Sequence, residues 1–264
     1  MMRLFLSLFL LWAPLAQAQT TAQRAAAFSP SVTVYNGLIG YWPLDNGDIF
    51  GTKLFDRSRN GNIGTLTGVT VSAASAGIIN GAMTFSGSSQ SVVVAIPAAL
   101  NGKNSNYTMM AWANRVNNAH GAVMAIGGEV ALSGGDGVSL GFGQSSAMES
   151  AGNLIEGLYN GTRWLNTGVT AGTGWVHIAI VVNSSGFPRI FYNGASVYSD
   201  TTGAPAAIGS AATAHIDIAG ATFGTSPPIA RFFNGPIDDA RVYNRPLSAN
   251  EIAAIYAAGR SGHQ

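Results

Sequence analysis

Two aspartates and a tryptophan hold the positions from which this chain could do chemistry. Asp45 closes the first strand-like run, Gly40-Tyr41-Trp42-Pro43-Leu44, and Asp238 lies in the last, Phe232 to Tyr243. Two carboxylates brought together beside a glycine turn such as Ser86-Gly87 offer the hard oxygen ligands that suit calcium, so Asp45, Asp238 and Gly87 form a candidate metal set. An alternative stays open at this point: Asp45 capping a turn and Asp238 accepting backbone N–H groups without any ion. In an extended strand alternate residues share a face, so Asp238 is expected on the same side as Ala240 and Val242, a carboxylate among core positions that needs a partner. Trp164 follows the polar stretch Tyr159-Asn160-Gly161-Thr162-Arg163. Its indole is a candidate platform for a sugar face, with Tyr159, Arg163 and Asn166 beside it and His120 at another rim; the competing expectation is that Trp164 packs inward.

Catalytic groupings are harder to find. A glycosidase needs two carboxylates flanking one bond, about 5 to 10 Å apart. Glu129, Asp136, Glu149 and Glu156 stand isolated among glycines and serines. Asp238 and Asp239 are adjacent, and adjacent strand residues point to opposite faces. His120, His177 and His215 lack a nucleophile elbow. With no cysteine in the chain, soft-metal sites are not expected. The sequence therefore reads as non-enzymatic.

The elements that must position these residues are short strands. Thr108 to Val116, Ala122 to Ile126, Val138 to Phe142, Leu154 to Tyr159, Trp175 to Val182, Arg189 to Tyr192, Ser196 to Tyr198, Ile216 to Ala219 and Phe232 to Tyr243 are β-branched or apolar runs separated by Gly, Asn and Ser. Asn193-Gly194 between two such runs signals a tight hairpin. The glycine-rich stretch from Gly127 to Gly152 is expected to carry a long loop. Trp42, Trp112 and Trp175 fall within strand patterns and are expected in the core. Ser248 and Glu251 make a capping box ahead of Ile252, Ile255 and Tyr256, an apolar helical face that closes the domain.

Four segments, in order, carry a family resemblance. They are Gly40-Tyr41-Trp42-Pro43-Leu44-Asp45 with the loop Asp56-Arg57-Ser58-Arg59-Asn60-Gly61-Asn62-Ile63-Gly64, Gly81-Ala82-Met83-Thr84-Phe85-Ser86-Gly87, Gly174 to Val182 with Phe191-Tyr192-Asn193-Gly194, and Gly235 to Ser248. Together they resemble the laminin G-like jelly-roll domains of the concanavalin A-like lectin and glucanase superfamily, over residues 38 to 258. The resemblance implies an all-β fold, a concanavalin A-like sandwich of two antiparallel sheets with a short C-terminal helix, in which the terminal strands pair. It favours calcium, because related folds carry a structural ion at a last-strand aspartate matching Asp238. It gives His177 a packing role. The Glu-x-Asp-x-x-Glu motif of laminarinase-type relatives is absent. Ser86 and Asn193 stand where aspartates are common.

Length and composition bound the rest. Met1 to Ala18 reads as a secretory signal, with Arg3, an apolar run from Leu4 to Leu15 and Ala16-Gln17-Ala18 before the cut. Cleavage there would shorten 264 residues by 18, to 246, and take Lys+Arg from 13 to 12 against 12 Asp+Glu, so no basic footprint points to nucleic acid. No later segment has the run of about 20 apolar residues that crosses a membrane as a helix. Residues 19–34 read as a flexible lead-in, 35–258 as one sandwich and 259–264 as a tail. Asn106-Tyr107-Thr108, Asn160-Gly161-Thr162 and Asn183-Ser184-Ser185 are formal glycosylation sequons. The expected function is a secreted or periplasmic recognition module binding glycan or another extracellular surface. Two alternatives are a structural or protein-interaction component of an envelope or matrix, and a divergent polysaccharide-active enzyme.

Overall fold

The computed structural model describes residues 34–68, 74–100, 106–116, 121–127, 138–143, 154–159, 164–172, 174–201, 215–222 and 229–261. The candidate signal segment, Arg163 and His120 lie outside these residues, as does most of the stretch from Gly127 to Gly152. In chain order the strands are β1 (Leu38–Trp42), β2 (Ile49–Phe50), β3 (Lys53–Leu54), β4 (Gly64–Thr67), β5 (Ala74–Ala76), β6 (Gly81–Ser86), β7 (Ser91–Ala95), β8 (Tyr107–Ala113), β9 (Gly121–Ile126) and β10 (Val138–Phe142). They continue as β11 (Leu154–Tyr159), β12 (Trp164–Thr170), β13 (Val176–Val182), β14 (Pro188–Tyr192), β15 (Ala195–Ser199), β16 (His215–Ile218), β17 (Ala221–Thr222), β18 (Ile229–Ala230) and β19 (Asn234–Tyr243). Helix α1 spans Ala249–Ser261.

Among the described residues these strands form two large antiparallel sheets and the small pair β17–β18. One runs β15-β14-β13-β8-β19-β6-β5, with β1 also on β19; the other runs β12-β11-β10-β9-β16-β7-β4-β3-β2. Alternation supplies the core between them. Trp42, Phe85, Ala111, Ala113, Ile178, Ile180, Ile237 and Val242 from the first sheet meet Leu66, Val92, Val94, Ile126, Leu140, Phe142, Ile216 and Ile218 from the second. The Asn-Gly hairpin forms as expected, with Asn193 and Gly194 both at positive φ (48° and 80°) and the Asn193 carboxamide accepting the His177 N–H at 2.9 Å.

Helix α1 lies on the outer face of the first sheet, where Ile252 and Ile255 pack on Met110, Val181, Phe191 and Tyr243. Ser248 and Glu251 close their capping box reciprocally, at 2.8 Å from the Ser248 N–H and 3.3 Å from the Glu251 N–H. The helix runs past residue 258. Gly259 abuts the Trp112 indole, where a Cβ would come within 2.8 Å of Nε1, so the packed part of the domain extends to residue 259 and the helix to 261.

Other expectations need correction. Trp112 is buried but on the helix-bearing outer face, opposite His177 in the register and stacked on Tyr256 at 5.4 Å between ring centroids. Trp175 precedes β13 and is only half-buried. The strands β2, β3, β4, β5, β7, β12, β17 and β18 have no counterpart among the runs read from the pattern. Two-residue strands leave almost no period to read, and Ser91-Val92-Val93-Val94-Ala95 is too short a run to separate from a loop-flanked apolar stretch by periodicity alone.

Candidate functional site

Both candidate carboxylates converge on one short turn. Strand β6 pairs with β19 over Asn234 to Ile237, while β1 pairs with the same edge of β19 over Ala240 to Tyr243. The two strands therefore lie end to end along β19, with a seam at Asp238-Asp239. A bulge occupies that seam. The β19–β8 register slips between Asp238 and Arg241, and Asp239 adopts φ 57°, a left-handed conformation that a bulge accommodates. The slip changes the phase of the strand. Ile237, Ala240 and Val242 all face the core, and Asp238 pairs with Trp112 on the outer face rather than sharing the side of Ala240 and Val242.

Asp238 is fully buried and reaches Gly77-Ile78-Ile79-Asn80-Gly81, the turn between β5 and β6. Its Oδ2 accepts the N–H groups of Ile78 at 2.7 Å and Ile79 at 2.9 Å. Asp45, just beyond β1, accepts the Gly81 N–H at 2.7 Å on Oδ1. Gly77 and Gly81 are tightly approached: a Cβ on Gly77 would come within 2.7 Å of Asp238 Oδ2, and one on Gly81 within 3.0 Å of Asp45 Oδ1. Gly87 belongs elsewhere. Strand β6 sets Met83 opposite Ile237 and Ser86 opposite Asn234, so its first residue, not its last, adjoins Asp238. Gly87 instead packs on Asn234, about 20 Å along the strand from Gly81. The turn that holds the carboxylates is Gly77–Gly81.

Burial, first of all, pushes the Asp238 carboxyl up to about 7; the charges of Asp239 and Asp45 push the same way, and the two N–H donors oppose them. Its Oδ1 is buried with no hydrogen-bond partner among the described residues. An orphan carboxylate oxygen beside a second carboxylate fits a hard cation. No group of three or more His, Cys, Asp or Glu gathers among the described residues, so a calcium ion here would complete its shell with backbone carbonyls and water.

The rest of the bulge is a second polar cluster. Asp239 pairs with Arg241 at 2.8 Å, and the guanidinium lies 4.6 Å from the centroid of the Tyr41 ring. Burial alone would lower the Arg241 pKa, but Asp239 beside it raises it; burial and the same carboxylate push Tyr41 up. Asp238 and Asp239 are thus re-aimed by the bulge to different partners. Asp56 organises the preceding loop, accepting from the backbone of Tyr41, Ser58 and Asn62 and from the Ser58 hydroxyl at 2.7 to 2.9 Å. A run of Asp, Ser, Asn and Gly in the sequence is the signal for such a loop.

Of the candidate sugar-binding residues, Tyr159, Trp164 and Asn166 lie on the terminal pair of strands of the second sheet. Tyr159 ends β11 and Trp164 begins β12, the two being register partners, and Asn166 pairs with Glu156. Residues 160–163, which include Arg163, lie outside the described residues. The Gly77–Gly81 turn was not legible as the meeting point from its residues, whose visible trace is a pair of glycines flanking Ile-Ile-Asn.

Comparison with known proteins agrees with this architecture. No curated protein matches the sequence. Among solved structures, domain 4 of AbnA, a GH43 extracellular arabinanase from Geobacillus stearothermophilus, in complex with arabinotriose, superimposes with a TM-score of 0.59 at 20% identity, over 83% of this chain and 98% of that one. The binding domain of Paraclostridial Mosquitocidal Protein 1 gives 0.56 at 12% identity, over 85% of this chain and 53% of that one. Trypanosoma rangeli sialidase gives 0.55 at 16%, over 84% of this chain and only 32% of its own length. At these identities the likeness is one of fold. Residues 86–253 match the laminin G-like family described as the concanavalin A-like lectin/glucanases superfamily, and the chain belongs to that family.

Proposed function

We propose that the protein is a secreted, non-catalytic recognition module that binds glycan or another extracellular surface, with a structural calcium ion held by Asp45 and Asp238. The observation that carries the non-catalytic reading is how six of the described carboxylates, Asp200 and Asp217 aside, are used. Asp45, Asp56 and Asp238 accept backbone N–H groups, while Asp48, Asp239 and Glu251 pair with Arg57, Arg241 and Arg245. Each of the six holds a turn, a bulge or a cap in place. A glycosidase instead keeps two carboxyl groups free to flank a substrate bond. The AbnA domain, solved with arabinotriose, and the mosquitocidal protein's binding domain support recognition as the use of this fold.

A glycan array probed with and without chelator tests the reading. Binding of at least one glycan, with no reducing ends released from a polysaccharide panel, is the expected result. Release of reducing ends, reproducibly dependent on the protein, would establish an enzyme instead.

A further inference from the structure

Large apolar side chains stand exposed in one corner of the second sheet. Phe50 is 78% exposed, Phe55 44% and Ile63 43%. The register places them together. Ile49 pairs with Leu54 and Leu54 with Gly64 on the core side, so Phe50, Lys53 and Thr65, paired in turn, face outward, followed on the same row by Val93. The Phe55 N–H continues the ladder onto the Asp48 carbonyl at 2.8 Å, and Phe55 is two residues beyond Lys53, on its face. Ile63 is two residues before Thr65. Neighbouring strands are about 4.8 Å apart, so the rings of Phe50 and Phe55 and the Ile63 side chain form a contiguous patch. Single exposed apolar residues are ordinary, whereas a contiguous patch marks a contact surface.

The solvent-exposed charges around the patch are of one sign. Lys53 lies within it and donates from Nζ to Thr65 Oγ1 at 2.9 Å. At the end of the Phe55 row, Arg57 bonds Asp48 through Nε, yet 56% of its side chain remains exposed while that of Asp48 is only 4% exposed. Asp56 is turned into the backbone N–H groups of its own loop and of Tyr41. Two cations thus face solvent beside two aromatic rings, with the nearby carboxylates turned inward. Rings of this kind stack on the apolar faces of sugars, and ammonium and guanidinium groups make charge-assisted hydrogen bonds to carboxylate or sulfate.

We propose that this corner, β2 to β4, is the contact surface for an anionic polysaccharide, with Phe50 and Phe55 stacking on sugar rings and Lys53 and Arg57 taking the acidic groups. The assignment rests on the recognition reading above and moves the binding site from the Trp164 strand pair to the opposite edge of the same sheet.

The test is a titration of the full chain with polygalacturonate, dextran sulfate and a neutral galactan, in calcium, beside thermal melts and sedimentation. Wild type should bind one of the two acidic polymers, and more weakly as salt rises. Phe50→Ala and Phe55→Ala should each weaken binding about threefold to tenfold, the melting temperature of Phe50→Ala staying at the wild-type value. Lys53→Gln should weaken binding and flatten its salt dependence. Undiminished binding in all three variants would place the site elsewhere and overturn this proposal while leaving glycan recognition standing. Binding to the neutral polymer alone would overturn it as well. Self-association abolished by Phe50→Ala, with no polymer bound, would identify the patch as a contact between copies. No binding to any glycan on a broad array would remove the recognition reading itself.

Discussion

At the scale of single residues, two buried titratable groups give stability opposite pH dependences. The Asp238 carboxyl is raised from 3.8 to about 7, chiefly by burial. Between those values the folded protein holds a proton that the unfolded chain has released, so this contribution is complete below about pH 4 and is lost as pH rises through about 7. In chelator, the melting temperature of wild type should fall across that window relative to Asp238→Asn, which has no proton to lose. Millimolar calcium should reverse the trend, because an ion favours the ionised form. Identical pH profiles for wild type and Asp238→Asn in chelator would contradict the buried-acid description. His177 runs the other way. Burial first, and the Arg241 charge second, lower it from 6.5 to about 3. Its contribution is present above about 6.5 and lost as pH falls toward 3. His177→Phe keeps a ring against Trp112, 5.2 Å away, while removing the proton. Urea midpoints at pH 7 and pH 4 should therefore differ less in this variant than in wild type.

At the scale of elements, the helix and the bulge show what a sequence pattern can and cannot carry. Ser248 and Glu251 announced the start of α1 because a capping box is local chemistry, read within four residues. The same local character made the Asn193-Gly194 hairpin and the Asp56 loop legible. The end of the helix was not, because Gly259 looks like a stop signal yet serves as the close approach to Trp112. Gly259→Ala separates these roles. Alanine gains about 1 kcal/mol of helix propensity, but its methyl would meet an indole confined between His177 and Tyr256. Overpacking of this kind costs about 1 to 3 kcal/mol. A net loss in urea-derived stability is expected, and a gain would show that the helix does not bear on Trp112. The bulge at Asp238-Asp239 was equally hidden. Alternation correctly marked β19 as a strand with a buried carboxylate, but a one-residue slip leaves no mark on composition and reverses the face on which every earlier residue stands. The exposed corner at Phe50, Phe55 and Ile63 escaped notice for a related reason: two-residue strands reveal their faces only once their partners are known.

At the scale of the whole molecule, the seam along β19 joins the first strands of the chain to the last. Trp42 pairs with Ala240 and Met83 with Ile237, so residues separated by roughly the length of the domain meet on either side of Asp238. Bonds at this seam close long loops, and their loss should be felt by the entire sandwich rather than by one turn. Asp45 and Asp238 both tie the Gly77–Gly81 turn, and their effects should therefore be coupled. In calcium, an ion bound only by the folded state adds about 2.7 kcal/mol at a hundredfold excess over Kd. Asp45→Ala and Asp238→Ala should each remove that increment, and the double variant should lose no more calcium response than either single one. In chelator the singles should differ, because Asp238→Ala leaves the Ile78 and Ile79 N–H groups without their acceptor, whereas Asp45→Ala frees one N–H, that of Gly81. Thermal melts of the four proteins with calcium and with chelator decide the matter. If wild type melts at the same temperature in both, the carboxylates serve the turn alone and calcium has no structural role. If the two single variants retain separate, additive calcium responses, the ion lies away from the seam.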